Sequence, residues 1–207
     1  MLTQVVNKKN KRKLDNLKRK EILKALIYEK RYGKPIYYKN YEKVLKGKLP
    51  LEAVMGSSLL YALILYLIYS YLIQNLSKDY IPLAGEVGFK FVKGSWYNID
   101  LGIWEKEKIT LELFEDKLTA VPPKIAIEID TKADVKKFGS FEEYVNIKTQ
   151  DLLEHGVEKV IWIFTKSKKI LVAEKDKDWI ITNWNKEIIL FENLKINLEK
   201  LLKEMKK

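Results

Sequence analysis

The most constraining stretch of the chain runs from Pro122 to Phe164. Pro122-Pro123 halts whatever precedes it. Residues 124–130, KIAIEID, then place isoleucine at every second position, a period of two that marks a strand. The next segment has a clear helix start. Ser140 and Glu143 stand three apart as a capping box, and Gly156 closes the helix. Residues 158–164, EKVIWIF, are again strand-like. Strand, helix and strand in this order require a sheet with a helix laid on one face.

The remaining pattern extends that unit. Residues 86–92 (EVGFKFV) and 97–104 (YNIDLGIW) spell a hairpin about Lys93-Gly94-Ser95. Strands are expected over 108–114, 169–174, 178–184 and 187–191, and a closing amphipathic helix over 193–205. Toward the N-terminus, Leu14, Leu17, Ile22, Leu23, Leu26 and Ile27 keep a helical spacing within residues 8–32, until Gly33 and Pro35 break it. Asn40 is a candidate cap for a short helix ended by Gly47. Ser57 or Ser58 is one for a long apolar helix running to Leu76. There is no internal repeat. The expected architecture is α/β, a mixed central β-sheet flanked by helices. A basic helical extension occupies residues 1–33, and the main domain residues 34–207.

Composition narrows the chemistry. The chain has no cysteine, which excludes disulfides, thiol catalysis and cysteine-ligated metals. Its single histidine, His155, excludes a multi-histidine site within one chain. Any metal must then sit on carboxylates, which favours magnesium or manganese over zinc. No organic cofactor is implied. Residues 1–50 carry 16 Lys+Arg and 4 Asp+Glu, whereas residues 51–207 carry 23 and 24. The net charge of +11 therefore comes from the first quarter of the chain. Lys8, Lys9, Lys11, Arg12, Lys13, Lys18, Arg19 and Lys20 make up its densest part. A basic arm on a near-neutral body suits a polyanion, nucleic acid before an anionic membrane; a solvated tail is the alternative.

No secretory signal is apparent, and cysteine-free usage fits a reducing cytoplasm. Abundant Lys, Glu, Ile and Tyr is a usage common in heat-adapted proteins. The apolar run from Leu59 to Ile73 falls short of the ~20 residues a membrane span needs and contains four tyrosines. It reads as a core helix that shares one face with a second subunit, making a homodimer.

Two carboxylates stand out. In IAIEID, Ile125, Ile127 and Ile129 share one face, and Ala126, Glu128 and Asp130 the other. In YNIDLGIW, Ile99, Leu101 and Ile103 share a face opposite Asn98, Asp100 and Gly102. Adjacent strands could aim Asp100 and Glu128 into one hollow, where a hard divalent cation would offset their charge. A solvated polar sheet face is the competing reading. Lys148 falls on the apolar stripe of the 141–155 helix, with Tyr144 and Leu152 one turn away on either side. Snorkelling of the lysine is its ordinary explanation.

Four segments together resemble one family. They are GKLPLEAVMGSSLLYALILYLI, EVGF followed by NIDLGIW, PPKIAIEIDT, and KTQDLLEHGVEKVIWIF. In order and spacing, from about Tyr37 to Leu198, they are similar to the Uma-type restriction endonucleases. That family is a branch of the PD-(D/E)xK, or restriction-endonuclease-like, nucleases. The resemblance implies a Mg2+- or Mn2+-dependent DNA endonuclease. It makes Asp100 and Glu128 metal-binding carboxylates, with the Ile129 carbonyl beside them, and Lys148 the catalytic lysine carried on the helix. Asp130 becomes an additional metal or water contact, and Glu52 a fourth candidate. The chain departs from the family at Ile99, which replaces proline, at Lys159 and Phe164, which replace acidic residues, at Leu152, which replaces tyrosine, and at Leu59 and Leu60, where a histidine is usual.

His155, at a helix end, reads as a cap rather than a catalyst. Trp96, Tyr97, Trp162, Trp179 and Trp184 could stack on bases, though Trp162 has core spacing. Two other functions fit the same residues. One is a nucleic-acid-binding protein of this fold that does not cleave. The other is a protein- or membrane-surface module using the basic arm.

Overall fold

The computed structural model describes residues 17–109 and 117–205. Residues 17–25 form helix α1. A hairpin follows, β1 (Ile27–Arg31) and β2 (Lys34–Tyr37), where the spacing had predicted continued helix. The reason is the turn: Tyr32 and Gly33 both take positive φ, 44° and 77°, the two-residue hairpin geometry. Gly33 thus ends a strand and not a helix.

Two short helices, α2 (Tyr41–Leu45) and α3 (Glu52–Met55), lead to the long helix α4 (Leu59–Asn75). Ser58 caps α4 by accepting the Tyr61 amide at 3.1 Å, whereas the Asn40 side chain makes no capping bond to α2. No described helix is long and apolar enough to cross a membrane.

Next come β3 (Tyr80–Val92) and β4 (Ser95–Glu105), a long hairpin turning at Lys93-Gly94, then β5 (Ile125–Ile129). Of the strand expected over 108–114, residues 110–114 lie outside the described residues, and Lys108 closes a 3-10 turn. Helix α5 (Phe141–Glu154) begins where Ser140 accepts the Glu143 amide at 3.1 Å, as the capping box predicts. β6 (Lys159–Phe164), β7 (Lys169–Glu174) and β8 (Ile180–Asn183) complete the main sheet. β9 (Ile188–Phe191) pairs with β10 (Leu194–Ile196) in a separate two-stranded sheet. The closing helix α6 (Leu198–Glu204) therefore starts later than its expected 193. Glu192, at φ 47°, turns the chain back first, and Asn197 supplies the cap by accepting the Lys200 amide.

The main sheet has the order β2-β1-β4-β5-β6-β7-β8, with β3 also on β4. β5 and β6 are parallel, joined over α5, as the strand–helix–strand pattern requires. Ile125, Ile127 and Ile129 face one way, with Leu101, Ile103 and Ile161, against Ile64, Ile68 and Leu72 of α4 and Leu198 of α6. Ala126, Val160 and Trp162 face the other way, against Tyr144, Val145 and Leu152 of α5. One alternation differs from expectation. Ile99 packs with the α5 layer while Leu101 and Ile103 pack with α4. Beside that switch, the β3–β4 register slips between Ala84 and Val87, where Gly85 and Glu86 both take positive φ.

Candidate active site

β4 changes neighbours along its length. It pairs with β1 at Trp96 and with β5 from Leu101 to Ile103. Asp100 lies at the fork between those two partnerships, only 3% exposed. The Ile129 amide at the end of β5 donates to its Oδ2 at 2.7 Å, in place of a ladder partner. From the opposite layer the Tyr61 hydroxyl of α4 donates to its Oδ1, also at 2.7 Å. A strand residue turns its N–H and C=O toward the same neighbour, so the Ile129 carbonyl also faces the β4 side.

Glu128 points to the α5 layer at 1% exposure. Its Oε2 accepts the Lys148 ammonium at 3.0 Å, while its Oε1 is buried without a hydrogen-bond partner. Lys148 rises from α5 between Tyr144 and Leu152 and is itself 1% exposed. Its Nζ also donates to the Asn98 carbonyl at 2.7 Å and to Glu29 Oε1 at 2.8 Å. An ammonium has three N–H groups, and all three are used. The rings of Tyr97 and Trp162 stand 5.4 and 5.6 Å from Nζ and add cation–π attraction. Lys148 is therefore not snorkelling.

Glu29 is the residue that sequence reading missed. It sits on β1, fully buried, and its Oε2 accepts the Tyr144 hydroxyl at 2.7 Å. It was hidden because residues 27–31 were read as helix; the Tyr32-Gly33 turn was the available clue. Tyr61, the hydroxyl on Asp100, was counted only as part of an apolar helix.

Two candidates fall away. Asp130 takes φ 53° and turns out of the strand, and its carboxylate accepts the amide and hydroxyl of Thr165. It closes the β5 turn through Thr165, with no hydrogen bond or ion pair to Asp100, Glu128 or Lys148 among the described residues. Glu52 is exposed on α3, and no hydrogen bond or ion pair joins it to Asp100, Glu128 or Lys148. Of the basic arm, Lys18, Arg19 and Lys20 are exposed on α1. Lys8, Lys9, Lys11, Arg12 and Lys13 lie outside the described residues. His155 caps α5, one ring nitrogen 2.7 Å from the Asp151 carbonyl. Trp162 is buried, its ring N–H donating to Thr149.

The electrostatics are one-sided. Three carboxylates face one ammonium. Burial pushes Asp100 up to about 6, against the pull of the Ile129 amide, Lys148 and Tyr61. Burial likewise holds Glu128 well above the ordinary carboxylate range, with Lys148 opposing it. For Lys148, burial alone would favour loss of the proton, but Glu128 and Glu29 outweigh it and keep the group charged above the usual lysine range. Such a cluster lacks positive charge and has an orphaned oxygen on Glu128. A divalent cation on Asp100, Glu128 and the Ile129 carbonyl fits both facts. Among the described residues no three acidic or histidine side chains converge as a ready-made metal cage.

No protein-family model matches the chain, and no curated protein does. Among solved structures it is similar to a protein from Anabaena variabilis described as "a putative nuclease belonging to DUF820". The two are 12% identical with a TM-score of 0.63, over 84% of this chain and 89% of that one. The likeness is one of fold: a mixed α/β sheet flanked by helices.

The buried network gives a stability test. Glu29→Ala leaves Lys148 with a lost partner and the Tyr144 hydroxyl without its acceptor. Urea unfolding should show a loss of roughly 3–5 kcal/mol. Glu199→Ala, on the α6 surface, should change stability by less than about 0.5 kcal/mol. Equal effects would mean the network contributes nothing.

Proposed function

We propose that the chain is a magnesium-dependent endonuclease of the Uma type that hydrolyses DNA phosphodiester bonds. Asp100, Glu128 and Lys148 are its catalytic set. The observation that carries the reading is the unpartnered, buried Glu128 Oε1, on a carboxylate whose other oxygen is held by Lys148 and whose neighbouring amide is bound to Asp100. Asp100, Glu128 and the Ile129 carbonyl would hold the cation. Mg2+, or Mn2+ in its place, supplies Lewis acidity toward a phosphate and an attacking water.

The chain's own residues do the rest. Tyr61 and the Ile129 amide fix the rotamer of Asp100 from two sides. Glu29 and the Asn98 carbonyl fix Lys148 beside Glu128, and its charge would offset negative charge growing on a phosphate bound there. Glu29 is a positioning residue in this scheme. Lys18, Arg19 and Lys20, with the preceding basic residues, add phosphate contacts that hold DNA without reading its sequence.

A second reading has its own support. Asp100, Glu128 and Lys148 are each at most 3% exposed, and surface cavities of about 360, 420 and 300 Å3 have none of them in their walls. A nucleic-acid-binding protein of this fold that does not cleave would tolerate such closure. A working nuclease must open the cover that Tyr61 of α4 lays over Asp100.

α4 also supports a homodimer. It bears no charged residue, and Leu59, Tyr66 and Ile73, seven apart, are 85%, 60% and 56% exposed. A seven-residue apolar stripe matches the seam of paired helices.

Two measurements test these statements. Supercoiled plasmid incubated with Mg2+ should be nicked or cut, and EDTA should stop it. Asp100→Asn, Glu128→Gln and Lys148→Met should each lower the rate by ~100-fold or more. Wild-type binding without cleavage selects the second reading. Light scattering should give about twice the 24.4 kDa chain mass, and Tyr66→Lys should return it to one chain. A monomeric wild type removes the dimer.

A further inference from the structure

A further cavity lies apart from Asp100 and Glu128, at the outer edge of the sheet. It encloses about 360 Å3 between the β1–β2 hairpin, the start of α2 and the short turn around Val135–Phe138. That size lies at the low end of the ~300–1,000 Å3 range of small-ligand sites. One wall is aromatic. Tyr37 and Tyr41 stack 4.5 Å apart at 19°, and the Lys137 ammonium stands 5.4 Å from the Tyr37 ring. Across the hairpin turn, the Arg31 guanidinium lies 4.7 Å over the Tyr32 ring.

The charges in the walls are uneven. Lys136 stands 3.8 Å from Asp134, and Arg31 is held by Asp151 of α5. Lys34 and Lys137 have no acidic partner among the described residues, and both are exposed. The cavity therefore offers stacked rings beside Lys34 and Lys137, with one further carboxylate, Glu42, in its wall. Flat aromatic surface with nearby ammonium groups suits a base and its phosphate. It does not suit an apolar peptide, which would leave the cations idle, or a lone phosphate, which would leave the rings idle.

The geometry points to a second binding site here, for one unpaired nucleotide of a nucleic-acid strand: the base stacks with Tyr37 and Tyr41, and Lys34 and Lys137 hold its phosphate. A duplex keeps its bases stacked on one another, so only a single-stranded end, loop or opened step can fill the cavity. The position is informative. Arg31 follows Glu29 by two residues on β1, roughly 7 Å along the strand. Phe138, in the cavity wall, packs edge-on against Tyr144 at 5.2 Å, and Tyr144 donates to Glu29. The cavity thus backs onto the Glu29–Lys148 network.

The site rests on the nucleic-acid reading above but not on hydrolysis, since binding without metal can hold while cleavage fails, and the reverse. The test measures fluorescence anisotropy of the full chain in EDTA. One probe is an end-labelled single-stranded hexathymidylate; the other is a labelled blunt duplex. Tyr41→Ala should weaken hexathymidylate binding roughly 5- to 100-fold. It should leave duplex binding within about twofold, and Tyr41→Phe, which keeps the ring, should bind as wild type does. Lys137→Gln should flatten the salt dependence of hexathymidylate binding by about one phosphate contact. The site is overturned if the wild type does not bind hexathymidylate, if Tyr41→Ala binds it unchanged, if that variant loses both probes equally, or if Tyr41→Phe fails alongside it.

Discussion

A charged lysine buried to 1% exposure is the constraint around which the sheet is arranged. Taking an ammonium out of water costs several kcal/mol even after the surroundings relax. The cost is met only if every N–H finds an acceptor and opposite charge lies close. Here the acceptors come from three strands: Glu29 on β1, the Asn98 carbonyl on β4 and Glu128 on β5. α5 must therefore sit where those strands are neighbours. The helix is fixed there further by Tyr144 on Glu29 and by Asp151, which accepts both Arg31 of β1 and Tyr97 of β4.

That arrangement has a price on the other side of the sheet. Fixing Lys148 accounts for one positive charge against three carboxylates, and Asp100 meets its share only through the Ile129 amide and the Tyr61 hydroxyl. The fork in β4 is what makes this possible. Once β4 has left β1 and before it settles on β5, its carboxylate can take an amide that a regular ladder would use. The same fork lets Ile99 pack toward α5 and Leu101 toward α4, so polar heads from both layers reach one point. Residual negative charge and an unpartnered Glu128 oxygen then follow from this arrangement, and they are the ground on which a cation site is proposed.

Much of this was legible in the residues. The period of two in IAIEID assigned Ile125, Ile127 and Ile129 to one layer and Glu128 to the other, and the Ser140 cap fixed the phase of α5 that turns Lys148 inward. Asp130 was not legible. Alternation placed it beside Glu128, but a positive φ at the strand end rotates it to Thr165, and periodicity carries no information about where a strand stops. Glu29 was not legible for a related reason. Its strand is five residues long, and the apolar spacing before it continues a real helix, so the period of 3.6 ran on past its end. Tyr61 was hidden by its neighbours. In a helix without a charged residue, one hydroxyl with a specific task looks like any other aromatic position.

The central claim is that Asp100 and Glu128 form a cation site and not merely a buried polar knot. Manganese binding to the full chain, followed by electron paramagnetic resonance of free Mn2+ in the absence of nucleic acid, tests it most directly. One Mn2+ per chain should bind in the wild type, Mg2+ should displace it, and Glu128→Gln should abolish it while the far-ultraviolet circular dichroism stays unchanged. A wild type that leaves Mn2+ free in solution, or a Glu128→Gln variant that binds it as well as the wild type, contradicts the account.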